Sequence, residues 1–250
     1  MRDTSTPRRL PGAPPEWLLH DEPGACVYLP GRQARLPLRL PSRALNREEF
    51  GRRLEEGDRR QGVLLYRPAC PSCHACEAIR IDVGEFEPDK TQRRTLRRGD
   101  RELETKIGRP TLTLAKVALY NRHKIERRLV VGEDLVDAVG YEQFLVETCT
   151  ETVEITYRHR GSLIGVAISD RAADALSAVY YYFDPQYSQL SPGAYSILKQ
   201  IQICRDWGLR YLYLGLYVAG CRSLAYKSAY LPHERLIDGE WRRIEKEALR

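Results

Sequence analysis

The chain lacks any long apolar run. Its apolar stretches are short, such as LSAVYYYF at 176–183. None approaches the roughly 20 residues that a membrane-spanning helix needs. The apolar core of a secretory leader is missing as well. Residues 1–17, MRDTSTPRRLPGAPPEW, are polar and proline-rich, so a cytoplasmic chain with no membrane partner is expected. Glycine never recurs two residues apart. The Gly-x-Gly turn that cradles a pyrophosphate at a helix start is therefore absent, which counts against coenzyme A as a donor. Phenylalanine is scarce, 4 against 15 tyrosines. That bias fits either strand cores with partnered hydroxyls or an aromatic cleft that stacks on bases. No internal repeat is present.

What remains is an ordinary globular composition, 42% hydrophobic and 30% charged over 250 residues. It allows one large domain or two small ones. Seven cysteines in a chain without a leader point to thiols or metal ligands instead of a disulfide framework. Three of them stand in YRPACPSCHACEAIRI (66–81), at Cys70, Cys73 and Cys76. Two-residue gaps let neighbouring thiolates reach one zinc or iron from a tight turn. A fourth ligand would be Cys26 or His74. A redox role for one Cys-x-x-Cys pair, or plain packing, is the alternative. Cys204 reads as a core residue.

The net charge of +6 is unevenly placed. If 90–109 is helical, Arg93, Arg97 and Arg101 share one face, with Arg94 and Arg98 beside them. Such a stripe suits a phosphate backbone, or is simply a solvated face.

Residues 1–22 read as a flexible arm. A helix is expected at 46–57 with Asn46 as its cap, then strands at 63–67 and 78–83, so the cysteines would join a hairpin. The 78–83 strand alternates apolar and charged residues and should be half-buried. Helices are expected at 111–129 and 141–148. Strands at 153–159, 162–169 and 176–183 should form an antiparallel meander. A helix at 192–207, with Pro192 in its first turn and Gly208 at its end, precedes a strand at 210–218. The fold class is therefore α+β. A small cysteine-bearing N-terminal domain (23–105) would precede a GCN5-related N-acyltransferase-like domain (106–250) with a mostly antiparallel sheet. That comparison is one of fold alone.

CVYLPG (26–31), YRPACPSCHACEAIRI (66–81), TQRR (91–94), YYYFDP (180–185), SPGAYSIL (191–198) and LYLG…C…YK (212–227) occur in this order. Together they resemble the bacterial aminoacyl-tRNA–protein transferases, the aspartate/glutamate leucyltransferases related to arginyl-tRNA–protein transferases. The resemblance spans about 22–236. It implies transfer of leucine from leucyl-tRNA to a protein's N-terminal Asp or Glu, marking that protein for degradation by the N-degron route. No cofactor is implied for the chemistry itself. In some relatives the cysteines matching Cys26, Cys70, Cys73 and Cys76 hold zinc or an iron–sulfur cluster. The reaction needs no activated nucleophile, in keeping with the missing triad. In this reading Asp184 orients or deprotonates the acceptor amine, and backbone groups at Ser191 and Gly193 meet the oxyanion. Tyr181, Tyr182, Phe183, Tyr195 and Tyr226 line the substrate pocket. Arg127, Arg128 and Lys227 are candidates for the acceptor carboxylate, and the arginines at 93, 94, 97, 98 and 101 hold tRNA. The rivals are an arginyl-tRNA donor, a metal-containing RNA-binding protein without catalysis, and a coenzyme A acyltransferase.

Overall fold

Buried ion pairs, as much as apolar contacts, organise the N-terminal part. A computed structural model of the chain describes residues 13–129 and 135–245. Residues 1–12 of the expected arm lie outside that range. Residues 16–20 do not belong to an arm, because they form strand β1 (Glu16–His20). The reason is Glu16, fully buried and paired with Arg39 at 3.1 Å and with Arg53. A small hairpin follows, β2 (Pro23–Ala25) with β3 (Gln33–Arg35), and then β4 (Leu38–Pro41). Helix α1 (Arg47–Glu55) opens on a capping box in which Asn46 and Glu49 satisfy each other's amides. Strands β5 (Arg59–Gln61) and β6 (Leu64–Tyr66) complete a four-stranded sheet of order β1-β4-β6-β5.

The cysteine segment leads from β6 to β7 (Glu77–Asp82), but the two strands are not a hairpin. β7 enters a second, eight-stranded sheet, where Ala78–Ile81 are buried on both faces and not on one. Its charged member, Arg80, lies 3.9 Å from the Tyr211 ring and 4.1 Å from the Trp241 ring, and it pairs with Glu234. Cation–π contacts and an ion pair thus make an arginine compatible with an interior strand.

Helix α2 (Lys90–Glu102) carries its own capping box, Asp89 with Gln92. Then come β8 (Glu104–Gly108), α3 (Leu114–Glu126) and α4 (Ala138–Tyr141), which runs on as a π turn to Val146. β9 (Thr152–His159), β10 (Ser162–Arg171) and β11 (Ala175–Phe183) form the expected meander. Arg160 and Gly161, both at positive φ, make the two-residue turn between β9 and β10. A 3₁₀ turn over Pro185–Leu190 leads to α5 (Pro192–Asp206), which Gly208 terminates at φ +67. β12 (Tyr211–Tyr217), α6 (Arg222–Ala225) and the unanticipated hairpin β13 (His233–Ile237) and β14 (Glu240–Ile244) follow.

The large sheet has the order β14-β13-β7-β12-β11-β10-β9-β8. Residues on both sides of 105 build it. All its pairings are antiparallel except β11 with β12. Its two faces bury different helices. Leu176 and Leu212 pack on Ile197, Leu198 and Ile201 of α5. Val166, Ile168 and Tyr182 pack on Leu119 and Tyr120 of α3, and Ala175 and Tyr213 pack against Phe50 and Leu54 of α1. No helix among the described residues is long and apolar enough to cross a membrane.

Candidate active site

The one parallel pair in the large sheet is short. β11 and β12 are in register only from Ala175–Ser177 to Tyr211–Tyr213, and beyond that they splay apart. Each strand carries an irregularity at that point. The register of β11 on β10 slips between Ala178 and Tyr180, which leaves Val179 extra. The register of β12 on β7 slips between Tyr213 and Leu216, where Gly215 has φ +84. Bulges of this kind bend a strand and end its pairing.

Two cations fill the gap. Arg59 enters from β5 and donates from Nη1 to Ser177 Oγ (3.1 Å) and from Nη2 to Ala178 O (2.8 Å). A Cβ at Gly215 would stand 2.9 Å from Nη2, so the guanidinium needs that glycine. Lys227 Nζ donates to Leu216 O (2.6 Å) on the opposite arm. The splay would otherwise orphan one carbonyl on each strand, and each is taken by a cation. Both residues are buried, Arg59 at 8% exposed and Lys227 at 7%. Neither has an acidic partner within ion-pair distance among the described residues, and the acid whose charge reaches Arg59 is Asp170, already paired with Arg60. Burial lowers the pKa of Arg59, and burial followed by the charge of Arg59 brings Lys227 down to about 7.

The head of the splay is built from β11 and the start of α5. Phe183 stacks on Tyr181 (centroids 5.7 Å apart, 20° between planes). Its carbonyl lies 2.9 Å from His123 Nδ1, and Arg127 stands over its ring at 5.6 Å. Burial lowers the pKa of His123. Ser191 adopts a left-handed conformation before Pro192 and accepts a hydrogen bond from Arg98 Nη2 (3.3 Å). A Cβ at Gly99 would overlap the Tyr195 ring, so α2 and α5 cross closely there. The first-turn amides of α5 have no acceptor within the helix and concentrate its positive dipole end. Arg93, Arg94, Arg97 and Arg101 are exposed along α2. The arginine face of α2 and the N-terminus of α5 therefore converge.

Several expected site residues do other work. Tyr182 is fully buried in the core under α3, with its hydroxyl 2.5 Å from that of Tyr141. Strand alternation turns it away from the face that carries Tyr181. Tyr195 is a brace: its hydroxyl donates to Asp100 Oδ1 (3.0 Å) and meets Thr105 Oγ1 (3.3 Å). Asp184 is not a free base. Oδ1 accepts from Gln186 N (3.1 Å), and Oδ2 accepts from Arg122 Nη1 (2.6 Å). Arg128, exposed and at φ 54, ends α3. Tyr181 reaches toward Gly193 and Gly165, and its hydroxyl is buried without a hydrogen-bond partner. Tyr226 is half-exposed, with Arg127 as its charged neighbour. Arg59, Arg122 and His123 were not singled out by sequence. A three-residue strand reading RRQ carries no signal that one arginine crosses to another sheet.

The cysteines gather beside the β12 arm. Amides donate to sulfur at Cys26 (from Leu29, 3.4 Å) and at Cys70 (from Arg35, 3.4 Å), and Arg32 donates to Cys73 (3.5 Å). Burial, reinforced by Cys70, Cys26 and Cys73, pushes the Cys76 thiol up to about 11. The donor set suits a thiophilic metal. Yet no three His, Cys, Asp or Glu side chains among the described residues are arranged to hold one. Cys76 and Leu216 line one groove, and Leu29 lies against Gly220. The knuckle and the 26–31 loop thus wall the β12 side of the splay. Cys204 is fully buried, as expected.

A meander, a helix that starts at the head of a splay, and a bulged strand beside it make up the arrangement expected of a GCN5-related N-acyltransferase-like fold. The chain belongs to the arginine-tRNA–protein transferase family: the family's N-terminal model matches residues 24–94 and its C-terminal model residues 115–237. It is 37% identical to the aspartate/glutamate leucyltransferase of Thiobacillus denitrificans, over 88% of this chain and 91% of that protein. It is 38% identical to the protein of the same name from Chromobacterium violaceum, over 88% and 90%. Solved structures with partial likeness include L-PGS from Bacillus licheniformis (TM-score 0.43, 13% identity, 70% of this chain and 52% of that one). Another is the PaiA N-acetyltransferase of Thermoplasma acidophilum with coenzyme A (TM-score 0.36, 12% identity, 51% and 86%).

Proposed function

We propose that the chain moves leucine from leucyl-tRNA to the N-terminal Asp or Glu of acceptor proteins, a tag for degradation by the N-degron route. One observation carries the reading beyond family membership. The arginine face of α2 meets the head of the splay through Arg98 and Ser191. A tRNA acceptor stem along Arg93, Arg94, Arg97, Arg98 and Arg101 would lay its charged 3′ end there. These contacts hold phosphates without reading sequence.

The step is aminolysis of an ester. The acceptor's α-nitrogen attacks the aminoacyl carbonyl carbon, the bond from that carbon to the ribose oxygen breaks, and the amine proton ends on the ribose oxygen. An α-amine titrates near 7.7–8.0, so a useful fraction is neutral without a strong base. Positioning supplies much of the rate. The free amides at the start of α5, around Gly193, take the developing oxyanion, and Ser191 sets the turn that presents them. Asp184 acts by fixing that turn and Arg122. Tyr181, Phe183, Tyr226 and Arg127 line the path of the aminoacyl group and the terminal base. Zinc or an iron–sulfur cluster on Cys26, Cys70, Cys73 and Cys76 enters no step. Metal analysis of purified protein decides whether those sulfurs close on an ion.

The test is transfer from labelled leucyl-tRNA or arginyl-tRNA to peptides beginning Asp, Glu, Lys or Ala. Leucine on the Asp and Glu peptides alone is expected. Arginine transfer instead would keep the reaction and replace the donor. Transfer from neither would overturn the reading in favour of an RNA-binding protein.

A further inference from the structure

The open edge of β11 is taken at both ends and free in between. β11 pairs with β12 only as far as Ser177, so from Ala178 onward that edge faces the splay. On its other side Asp184 N donates to Ile164 O, and Phe183 stands opposite Gly165. Bonded and non-bonded pairs alternate along an antiparallel ladder. Asp184 and Tyr182 therefore bond to β10, while Phe183 and Tyr181 turn both N–H and C=O into the splay. Arg59 holds one end of this edge, donating to Ala178 O (2.8 Å). His123 holds the other. Its Nδ1 lies 2.9 Å from Phe183 O and 3.2 Å from Phe183 N, and its ring packs on Phe183 with centroids 4.9 Å apart. The N–H and C=O of Tyr181, between these two plugs, have no partner among the described residues. An unpaired edge is a template for another extended segment. Here the template is one residue long.

One amino-acid residue in extended form presents its α-nitrogen and its carbonyl on the same side, which is what a single edge position pairs with. The acyl group of a charged tRNA is one such residue. We propose that this group lies on the β11 edge as a one-residue strand, its α-amine donating to Tyr181 C=O, and that His123 is the positioning residue that fixes this register. This rests on the reading of the chain as an aminoacyltransferase and says how that site recognises the donor's amino group. Tyr181 N–H then donates to the aminoacyl carbonyl. A Cβ at Gly193 would stand 4.0 Å from the Tyr181 ring, so the first turn of α5 borders the same position. The paired carbonyl lies beside the amides that take the oxyanion. A neutral amine is enough to donate, and the guanidinium of Arg59 on the same edge favours that form over an ammonium. With His123 in place, Phe183 offers no second register.

The experiment measures transfer by the wild-type protein to a saturating peptide that begins with Glu. The donors are tRNA acylated with leucine, or with its analogue in which a hydroxyl or a fluorine replaces the α-amine. The hydroxyl keeps a hydrogen-bond donor; fluorine withdraws electrons similarly but cannot donate. The fluoro ester should fall about 5- to 10-fold below the hydroxy ester in kcat/KM, the worth of one hydrogen bond. Equal values would overturn the proposal. His123→Ala frees Phe183 and opens a second, unproductive register. Its kcat and KM for leucyl-tRNA should fall together by about twofold or more, with kcat/KM unchanged. A fall in kcat/KM at constant KM would show a merely structural histidine and overturn its role as the stop. If wild type transfers none of the three acyl groups, the functional reading fails. Filter binding of the hydroxy and fluoro acyl-tRNAs then decides the pairing: tighter binding of the hydroxy ester sustains it, and equal binding refutes it.

Discussion

Two clusters of buried charge lie a few residues apart in this chain, and they are balanced differently. In the small sheet Glu16 and Asp58 pair directly with Arg39 and Arg53. Next door, Arg60 is matched by Asp170 at 2.6 Å. Arg59 and Lys227 are buried to a similar degree but form no ion pair among the described residues; Asp170, the partner of Arg60, lies within the field of Arg59. The difference is one of pairing: direct ion pairs hold the first set, and bonds to backbone carbonyls hold the second.

The comparison breaks most visibly if a balanced pair is undone. Asp170→Ala leaves Arg60 buried and unpaired and should cost about 3–5 kcal/mol. In thermal unfolding that is a fall of roughly 10 °C. Lys227→Met is a milder change: it removes a half-ionised buried group together with its bond to Leu216 O, two effects of opposite sign, so the melting point should move by less than about 3 °C. The pH dependence has a definite sign. Lys227 titrates near 7 in the folded chain and near its ordinary 10.5 when unfolded. Between those values the unfolded state holds the extra proton, so this group makes stability rise with pH from about 7 to 10.5. Denaturant unfolding of wild type should show that rise, and Lys227→Met should flatten it. The neighbours that share the field are Arg59 and Cys221.

An intermediate case sharpens the contrast. Asp184 is buried, but its partner Arg122 is about half exposed. Asp184→Asn keeps the turn's hydrogen bond and loses the ion pair. It should lower kcat by about 10-fold, near 1.4 kcal/mol, with tRNA binding unchanged. An unchanged kcat would remove Asp184 from the account. The exposed arginines of α2 are unbalanced too, but water solvates them at little cost. Replacing Arg93 and Arg97 together by Gln should leave stability within about 0.5 kcal/mol and reduce the salt slope of tRNA binding by about 2.

Much of this frame is legible in the chain itself. Asn46 and Glu49, three residues apart, announce the first helix, and Pro192 and Gly208 bracket α5. The meander follows from alternation and the Arg160–Gly161 turn. The hairpin at 233–244 has an equal local signal in Asp238–Gly239, both at positive φ. Period-two alternation in YYYF also separates Tyr181 from Tyr182, which belong to opposite faces. The splay is different in kind. Val179 and Gly215 are unremarkable in their strings, and the Arg59–Arg60 pair has no local cue to opposite fates. Their roles come from which sheet each side chain enters, and that is settled by contacts more than 100 residues apart in the chain.

The most direct measurement is the thermal shift of the wild-type protein on adding acceptor peptides without tRNA. A peptide beginning with Glu, at about 100 times its dissociation constant, adds about 2.7 kcal/mol to the folded state. That should raise the melting point by about 5 °C or more, while the Gln peptide at the same concentration leaves it unmoved. Equal shifts from both peptides would contradict the reading of the chain as a transferase selective for N-terminal Asp and Glu.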